Sequence, residues 1–453
     1  MTNDVQQIKK LMNEYAWALD LCDWESLSRC FADPMEFHSS TMESCYDFPS
    51  LKAAVQARAP LFALRRHMIS NQYVRIDGDR GYFYGNLINS RELALPQPDD
   101  LFLAGGYYRN QMVRTPDGWK IAVKCWQDLW TEGTLPAAMT ASAPQFAPVM
   151  HGIDEGSTFG VPDEQASDPA SSPRQAVSDA VLRLFRAADA DDRDAVSVTL
   201  ADADRILWPG AGSGNAVDAL CAGGAKRMTY LTNELIRINP DGAEFASYFY
   251  QVTGGTDGSE NRHTGGFLAV SLTQDKKGWR IRSLHYEQIW EKGKPLCDDP
   301  RDGTQLAARF LAPFSVADNA PASDEERIAE LHAMYTWCFD AGDFALMESC
   351  FTEDVQCNFE SGMGKRFDRR SMIDQLAIDR DLKPFYQHYT FNTLVSVEGD
   401  RAELNCYAFT RRTPDGGGPV LCAGGRYRAT AVRQGEGWAF SHFHYQRDYG
   451  PYQ

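Results

Sequence analysis

The sequence predicts three tandem α+β domains, each with helices packed across one curved antiparallel sheet. Three observations carry that prediction. A closing pattern recurs at intervals of 160 and 159 residues: AGGYYRNQMVRTPDGWKI around Gly105 and Trp119, TGGFLAVSLTQDKKGWRI around Gly265 and Trp279, and AGGRYRATAVRQGEGWAF around Gly424 and Trp438. An interval of that size is a whole domain, far longer than the roughly 20–50 residues of a solenoid unit. A length of 453 residues suits about three domains of roughly 100–200 residues. Within each copy, helical spacing gives way to alternating apolar residues, the order of an α+β unit.

The copies occupy residues 1–133, 173–294 and 322–453. In the first, Ile8, Leu11, Met12, Tyr15 and Leu19 recur at helical spacing over residues 4–20. A short break follows, and Asp23 stands where an N-cap opens a second helix, with Asp192 and Asp343 in the same place in the other copies. A strand (35–39; 355–359), a third helix (50–59; 370–380) and alternating strands complete the pattern, with turns at IDGD and TPDG in copy one and RQGEG in copy three. The segments between copies, 134–172 and 295–321, are rich in Ala, Pro, Ser and Asp. That composition predicts extended linkers, with Phe146, Phe159, Phe310 and Phe314 as apolar anchors docking onto a domain surface.

A net charge of -17 repels phosphate backbones and argues against nucleic acid as a partner. The opening MTNDVQQIKK has no apolar core of a signal peptide, and no stretch of 18 apolar residues follows, so a cytoplasmic location without a membrane partner is expected. The 11 cysteines include no CxxC pair, and Cys30, Cys350, Cys357 and Cys406 fall on apolar helix or strand positions. They read as reduced core thiols. His442 and His444 have no Cys or carboxylate at ligand spacing, so no metal site is expected.

The copies differ in their polar residues. Copy one opens LMNEYAWALDLCDWESLSRCF with Tyr15 and Asp20, and copy three opens LHAMYTWCFDAGDFALMESCF with Tyr335 and Asp340. Copy two, VLRLFRAADADDRDAVSVTL, has Leu184 and Asp189 there. His67 and His388 follow the aspartate by 47 and 48 residues, in RRHMISNQYVRIDGDR and YQHYTFNTLVSVEGDR, whereas KRMTYLTNELI of copy two has Thr229.

This pattern resembles the nuclear-transport-factor-2-like superfamily, in particular its SnoaL-like branch, which includes scytalone dehydratase, bile-acid 7α-dehydratase and lindane dehydrochlorinase. The resemblance covers nearly all of each copy and implies cone-shaped domains with an apolar hollow. The branch works with an Asp near the end of the first helix, a Tyr about one turn earlier, and a His on the strand after the third helix, in several members followed by an Asn four residues on. Position by position these are Asp20, Tyr15, His67 and Asn71 in copy one, and Asp340, Tyr335, His388 and Asn392 in copy three. Copy two keeps Asn233 but lacks the His and the Tyr, so it is expected to be silent. Branch members are commonly homotrimers, which implies that this chain is a monomeric pseudo-trimer in one polypeptide.

A carboxylate beside an imidazole fixes its tautomer and stabilises the imidazolium formed when the ring takes a proton. The trio therefore suits a cofactor-free lyase, a dehydratase of a hydroxylated cyclic, aromatic or steroid-like molecule, with Tyr15 or Tyr335 donating to an oxygen where charge accumulates. An isomerase or carbon–carbon lyase begins with the same base, and a non-catalytic carrier whose His and Asp are merely buried is the reading from another class. Asp20 and Asp189 also read as helix caps. Trp17 and Trp337 can stack on a ring, and His38 and Asn358 hold matched places on the first strand; all four are secondary substrate-binding candidates beside core packing. Arg114 and Arg433 read as turn-flanking. His38 against Asn358, and Tyr107 against Arg426, suggest two sites that need not share a substrate. Tyr15 and Asp20, about 140° apart on a straight helix, can face one cavity only if the helix ends near the Asp.

Overall fold

The computed structural model describes residues 4–40, 42–93, 101–133, 172–207, 216–221, 227–254, 261–276, 278–292, 294–296, 300–315, 320–359, 364–366, 368–383, 385–415 and 418–452. Copy one runs α1 (Asp4–Asp20), α2 (Trp24–Arg29), β1 (Phe31–Ser39), β2 (Met42–Cys45), α3 (Phe48–Arg58), β3 (Phe62–Asp77), β4 (Arg80–Leu93), β5 (Leu101–Thr115) and β6 (Gly118–Glu132). Its six strands lie in the order β2-β1-β6-β5-β4-β3. Copy two runs α4 (Pro173–Asp189), α5 (Arg193–Thr199), β7 (Leu200–Leu207), α6 (Ala216–Leu220), β8 (Arg227–Asn239), β9 (Gly242–Thr253), β10 (Arg262–Asp275), β11 (Gly278–Glu291) and β12 (Lys294–Pro295). After α7 (Pro300–Leu311), copy three runs α8 (Asp324–Ala341), α9 (Phe344–Met347), β13 (Phe351–Phe359), β14 (Gly364–Arg366), α10 (Arg369–Leu382), β15 (Tyr386–Glu398), β16 (Arg401–Arg412), β17 (Leu421–Gln434) and β18 (Gly437–Tyr452).

Each copy is thus a six-stranded sheet with helices, but one expectation needs correcting. The sheet is mixed: β1 pairs with β6, β7 with β11 and β13 with β18 in parallel, while the remaining neighbours are antiparallel. No hairpin joins a copy's first strand to its last, so nothing forces that pair into the antiparallel sense.

The apolar stripe of α1 is buried as its spacing requires, with Val5, Ile8 and Met12 fully enclosed against β3 and β6. The second helix of each copy opens on its aspartate cap: Asp23 accepts from Ser26 N, Asp192 from Ala195 N and Asp343 from Leu346 N. The paired glycines recur because nothing larger fits. A Cβ at Gly105, Gly265 or Gly424 would meet Trp130, Trp290 or Tyr449 within 2.1–2.3 Å. Arg114 and Arg433 flank turns and clamp the start of the first helix. Arg114 donates to Asp4 at 2.6 and 2.8 Å, Trp119 Nε1 adds a third bond to it, and Arg433 and Trp438 do the same to Asp324.

The first linker lies outside the described residues, with Phe146 and Phe159 in it. The second departs from the extended form expected, because Pro300–Leu311 is helical. Ala307, Phe310 and Leu311 form one buried stripe there, a helical periodicity that the Asp- and Pro-rich composition masked. Phe310 packs 5.7 Å from Phe267, and Phe314 is buried, so both anchors dock as expected. The described cysteines form no disulfide, and no described helix is long and apolar enough to cross a membrane.

Copies two and three share one compact unit, Ser172–Thr253 with Arg262–Gln453, and copy one belongs to another. Within the shared unit the two copies meet through buried polar bonds. Trp290 Nε1 and Gln387 Oε1 are 2.9 Å apart, Gln387 Nε2 donates to Gly266 O at 2.8 Å, and Trp337 Nε1 donates to Asn233 O at 2.8 Å.

Candidate functional site

The site of copy one begins where α1 stops. Cys22 takes a left-handed φ of 55°, and Asp23 N bonds back to Ala18 O, closing the helix just past Asp20. A carboxylate at a helix C-terminus faces the negative end of the dipole and needs donors. Asp20 finds two on one residue of β3: His67 N at 2.8 Å and His67 Nδ1 at 2.5 Å. Because the carboxylate accepts from Nδ1, the proton sits there and the basic lone pair on Nε2. Copy three repeats the arrangement, with His388 N at 2.9 Å and Nδ1 at 2.7 Å from Asp340.

Burial holds the His67 imidazole below its ordinary value, against the pull of Asp20 upward. The ring is therefore neutral near pH 7, the form that can take a proton. It lines a cavity of about 610 Å³, open mouth included, together with Tyr15, Leu27, Phe37, Met42, Trp126 and three arginines, Arg58, Arg65 and Arg91. Burial pushes the Tyr15 phenol well up, so it serves as a hydrogen-bond donor. The angular difficulty on α1 resolves simply. Tyr15 faces the cavity, while Asp20, with its side chain fully enclosed, stands behind the imidazole.

Copy three is packed differently. His388 stacks on Tyr386, centroids 4.2 Å apart and rings 10° from parallel, with Phe339 edge-on at 5.1 Å. Tyr335 is buried beside Phe443 and Tyr427. The second oxygen of Asp340 also accepts from Tyr248 Oη of copy two at 2.7 Å. The copy without a dyad of its own thus contributes a hydroxyl to its neighbour's. Nothing in the sequence signals this, since Tyr248 lies on β9, 92 residues from Asp340.

In copy two, Asp189 keeps the bond to the strand, accepting from Thr229 N at 2.7 Å and Thr229 Oγ1 at 2.8 Å, and it pairs with Arg227 Nε at 3.1 Å. The aspartate is therefore more than a helix cap in every copy: it ties the end of the first helix to the strand after the third.

The secondary candidates lie elsewhere. Asn71, Asn233 and Asn392 hold left-handed φ values of 50°, 55° and 51° at the bulge where the first long strand slips register against its partner, a conformation Asn tolerates better than most residues. Asn233 also reaches copy three, donating to Thr336 Oγ1 at 2.7 Å and accepting from Thr390 N at 3.0 Å. This geometry accounts for the asparagines without a substrate. Trp337 is buried against copy two, 4.4 Å from Tyr248 and 5.2 Å from Phe267, and Trp17, the matching residue, is not on the cavity wall. His38 and Phe37 are neighbours on β1 and point to opposite faces. Phe37 lines the cavity, whereas His38 pairs with Ser44 Oγ at 2.9 Å and Glu36 Oε2 at 3.0 Å. Asn358 sits in register with Lys365 and His444 and is half-buried. Tyr107 and Arg426 bond to Gln127 and Gln446 across the sheet.

Two residues that sequence reasoning missed lie beside Tyr15. Tyr108 stands edge-on to it at 6.2 Å with its hydroxyl buried and without a hydrogen-bond partner. Tyr427 holds that place in copy three and Leu268 in copy two, the pattern of loss the His follows. Lys124 is 0% exposed, and its Nζ has no hydrogen-bond partner and lies 3.0 Å from the Tyr108 ring centre and 4.7 Å from that of Tyr15. Burial drives its amine well below the usual lysine range. Leu284 and Phe443 take the equivalent positions. Lys124→Leu is expected to stabilise copy one by about 1–3 kcal/mol at neutral pH, since burial penalises the charged amine in the folded state alone. The gain should shrink as pH rises toward about 10.4, where the unfolded amine also loses its proton. Denaturant midpoints across that range check it, and a loss of stability on substitution would contradict it.

Among the described residues, no three His, Cys, Asp or Glu side chains converge as a metal site requires. The SnoaL-like domain pattern matches residues 1–124 and 320–444, copies one and three. An uncharacterised Mycobacterium tuberculosis protein is 28% identical over 132 residues, 28% of this chain and 89% of the relative. A solved Kribbella flavida protein is 26% identical over 28% of this chain and 93% of its own, with a TM-score of 0.27. A candidate scytalone dehydratase from Novosphingobium aromaticivorans is 16% identical over 30% of this chain and 93% of its own, with a TM-score of 0.28.

Proposed function

Since this chain belongs to the SnoaL-like domain family, matched over more than half its length, we propose that it is a lyase, a dehydratase that removes water from a hydroxylated cyclic or aromatic molecule. The observation that carries the reading is the His67–Asp20 pair, short, enclosed and set in the wall of an apolar cavity. In the proposed reaction Nε2 of His67 takes a proton from carbon next to an electron-withdrawing group. The C–H electron pair forms the new double bond, and the C–O bond to the departing hydroxyl breaks. The imidazolium returns the proton to that hydroxyl, so water leaves and the base is regenerated. Asp20 stabilises the imidazolium in between, and Tyr15 donates a hydrogen bond to the oxygen that accumulates charge. His388, Asp340 and Tyr335 would act likewise in copy three, with copy two silent and the chain working as a monomer.

Elimination is distinguished from the other reactions of this base by product: released water marks a dehydratase, unchanged mass an isomerase, and a released aldehyde a carbon–carbon lyase. The role of Tyr248 follows from the same reading. In a His67→Gln background, where only copy three turns over, Tyr248→Phe is expected to lower kcat up to about tenfold with KM unchanged, because the Asp340 carboxylate loses a bond, worth roughly 1.5 kcal/mol, that holds it in line with His388. Unchanged kcat would reduce Tyr248 to packing between copies two and three.

A further inference from the structure

We propose that the cavity of copy one takes an organic anion, a carboxylate on a hydrophobic body, seated between Arg65 and Arg91; this rests on that cavity being the substrate site proposed above. Arg65 on β3 and Arg91 on β4 are direct cross-strand partners, and both line the cavity. Like charges placed opposite one another across a sheet repel, and here no carboxylate among the described residues bridges them. Arg65 spends one nitrogen on Leu19 O and Cys22 Sγ. Arg91 is 7% exposed, and its buried Nε has no hydrogen-bond partner. Its guanidinium lies instead over Phe62, Phe102 and Trp126 at 5.2–5.9 Å, which lowers the group's pKa to about 10 through burial.

Asp128 and Asp20 attract Arg91 through space, but neither forms an ion pair or hydrogen bond with it. Asp20 is committed to His67, and Asp128, held up to about 6 by burial, bonds to Ser40. A buried charged group without a partner is costly, and a planar fork of donors facing an apolar hollow matches a carboxylate. Leu27, Phe37, Met42 and Leu51 on the rest of the wall suit a ring or short chain.

The other copies resolve the same pair differently. In copy two Arg227 faces Thr253 and is neutralised by Asp189. In copy three the pair is Tyr386 with Arg412, and Tyr386 stacks on His388. Anion recognition is thus a property of copy one, and the two dyads serve different ligands.

The test uses the full chain carrying His67→Gln and titrates benzoate, cyclohexanecarboxylate and phenylacetate against their neutral carboxamides by calorimetry. Each acid is expected to bind at least about tenfold tighter than its amide. Arg91→Met, added to the same chain, should cost the acids about tenfold in affinity and leave the amides unchanged. Equal binding of acid and amide, or no acid binding at millimolar concentration, overturns the inference. That comparison requires no arginine variant, so a misfolded Arg91→Met cannot protect it. Turnover is not read, so the lyase reading can fail while the anion site stands, and the reverse.

Discussion

His67→Gln together with His388→Gln is expected to lower turnover about 10²-fold or more while ligand affinity is retained. Glutamine can still donate to the aspartate, so the carboxylate keeps a partner and the fold should tolerate the change, but no basic nitrogen remains. Each single variant separates the sites: His67→Gln should abolish the activity housed in the open cavity, and His388→Gln the one beside Tyr386. The pH profile supplies a second readout. Burial lowers the His67 pKa, so the neutral base survives below its usual range, and the rate should stay level from neutrality to below about pH 6.5 before falling as the ring is protonated. A carrier protein would bind as before and have no turnover to lose. Full activity in the double variant would end the elimination mechanism.

Much of this arrangement was legible in the sequence because it is local or repeated. The α1 stripe, the Asp23, Asp192 and Asp343 caps and the glycine pairs each follow from spacing, and the same spacing in divergent copies aligns Asp20 with Asp340 and His67 with His388. What was not legible depends on which face of an element meets which neighbour. Trp337 looks like a site residue in a single copy, yet its partner, Asn233 O, lies across the boundary between copies two and three. His38 fails by one position on its strand, since Phe37 has the cavity face. Arg65 and Arg91, 26 residues apart in the chain, carry no signal until the β3–β4 register makes them partners, and the helix at Pro300–Leu311 was hidden by its composition.

The aspartate common to all three copies yields the sharpest expectation about stability. Asp189→Ala is expected to destabilise the unit formed by copies two and three by about 3–5 kcal/mol, although copy two has no imidazole to serve. Its carboxylate accepts from Thr229 N and Oγ1 and pairs with Arg227, whose guanidinium side chain is 7% exposed and also donates to Leu220 O at 2.6 Å. Removing it leaves a buried cation without its counter-charge and a strand amide without its acceptor, while the helix end loses its tie to β8. Asp189→Asn keeps one acceptor oxygen and should cost less. Denaturant unfolding of the intact chain checks both, and an Asp189→Ala loss below about 1 kcal/mol would show that the tie is dispensable. If the loss is as large as expected, the same bond in copies one and three has a structural role apart from any chemistry. The backbone amide fixes the carboxylate, and a histidine at that strand position inherits a partner already in place.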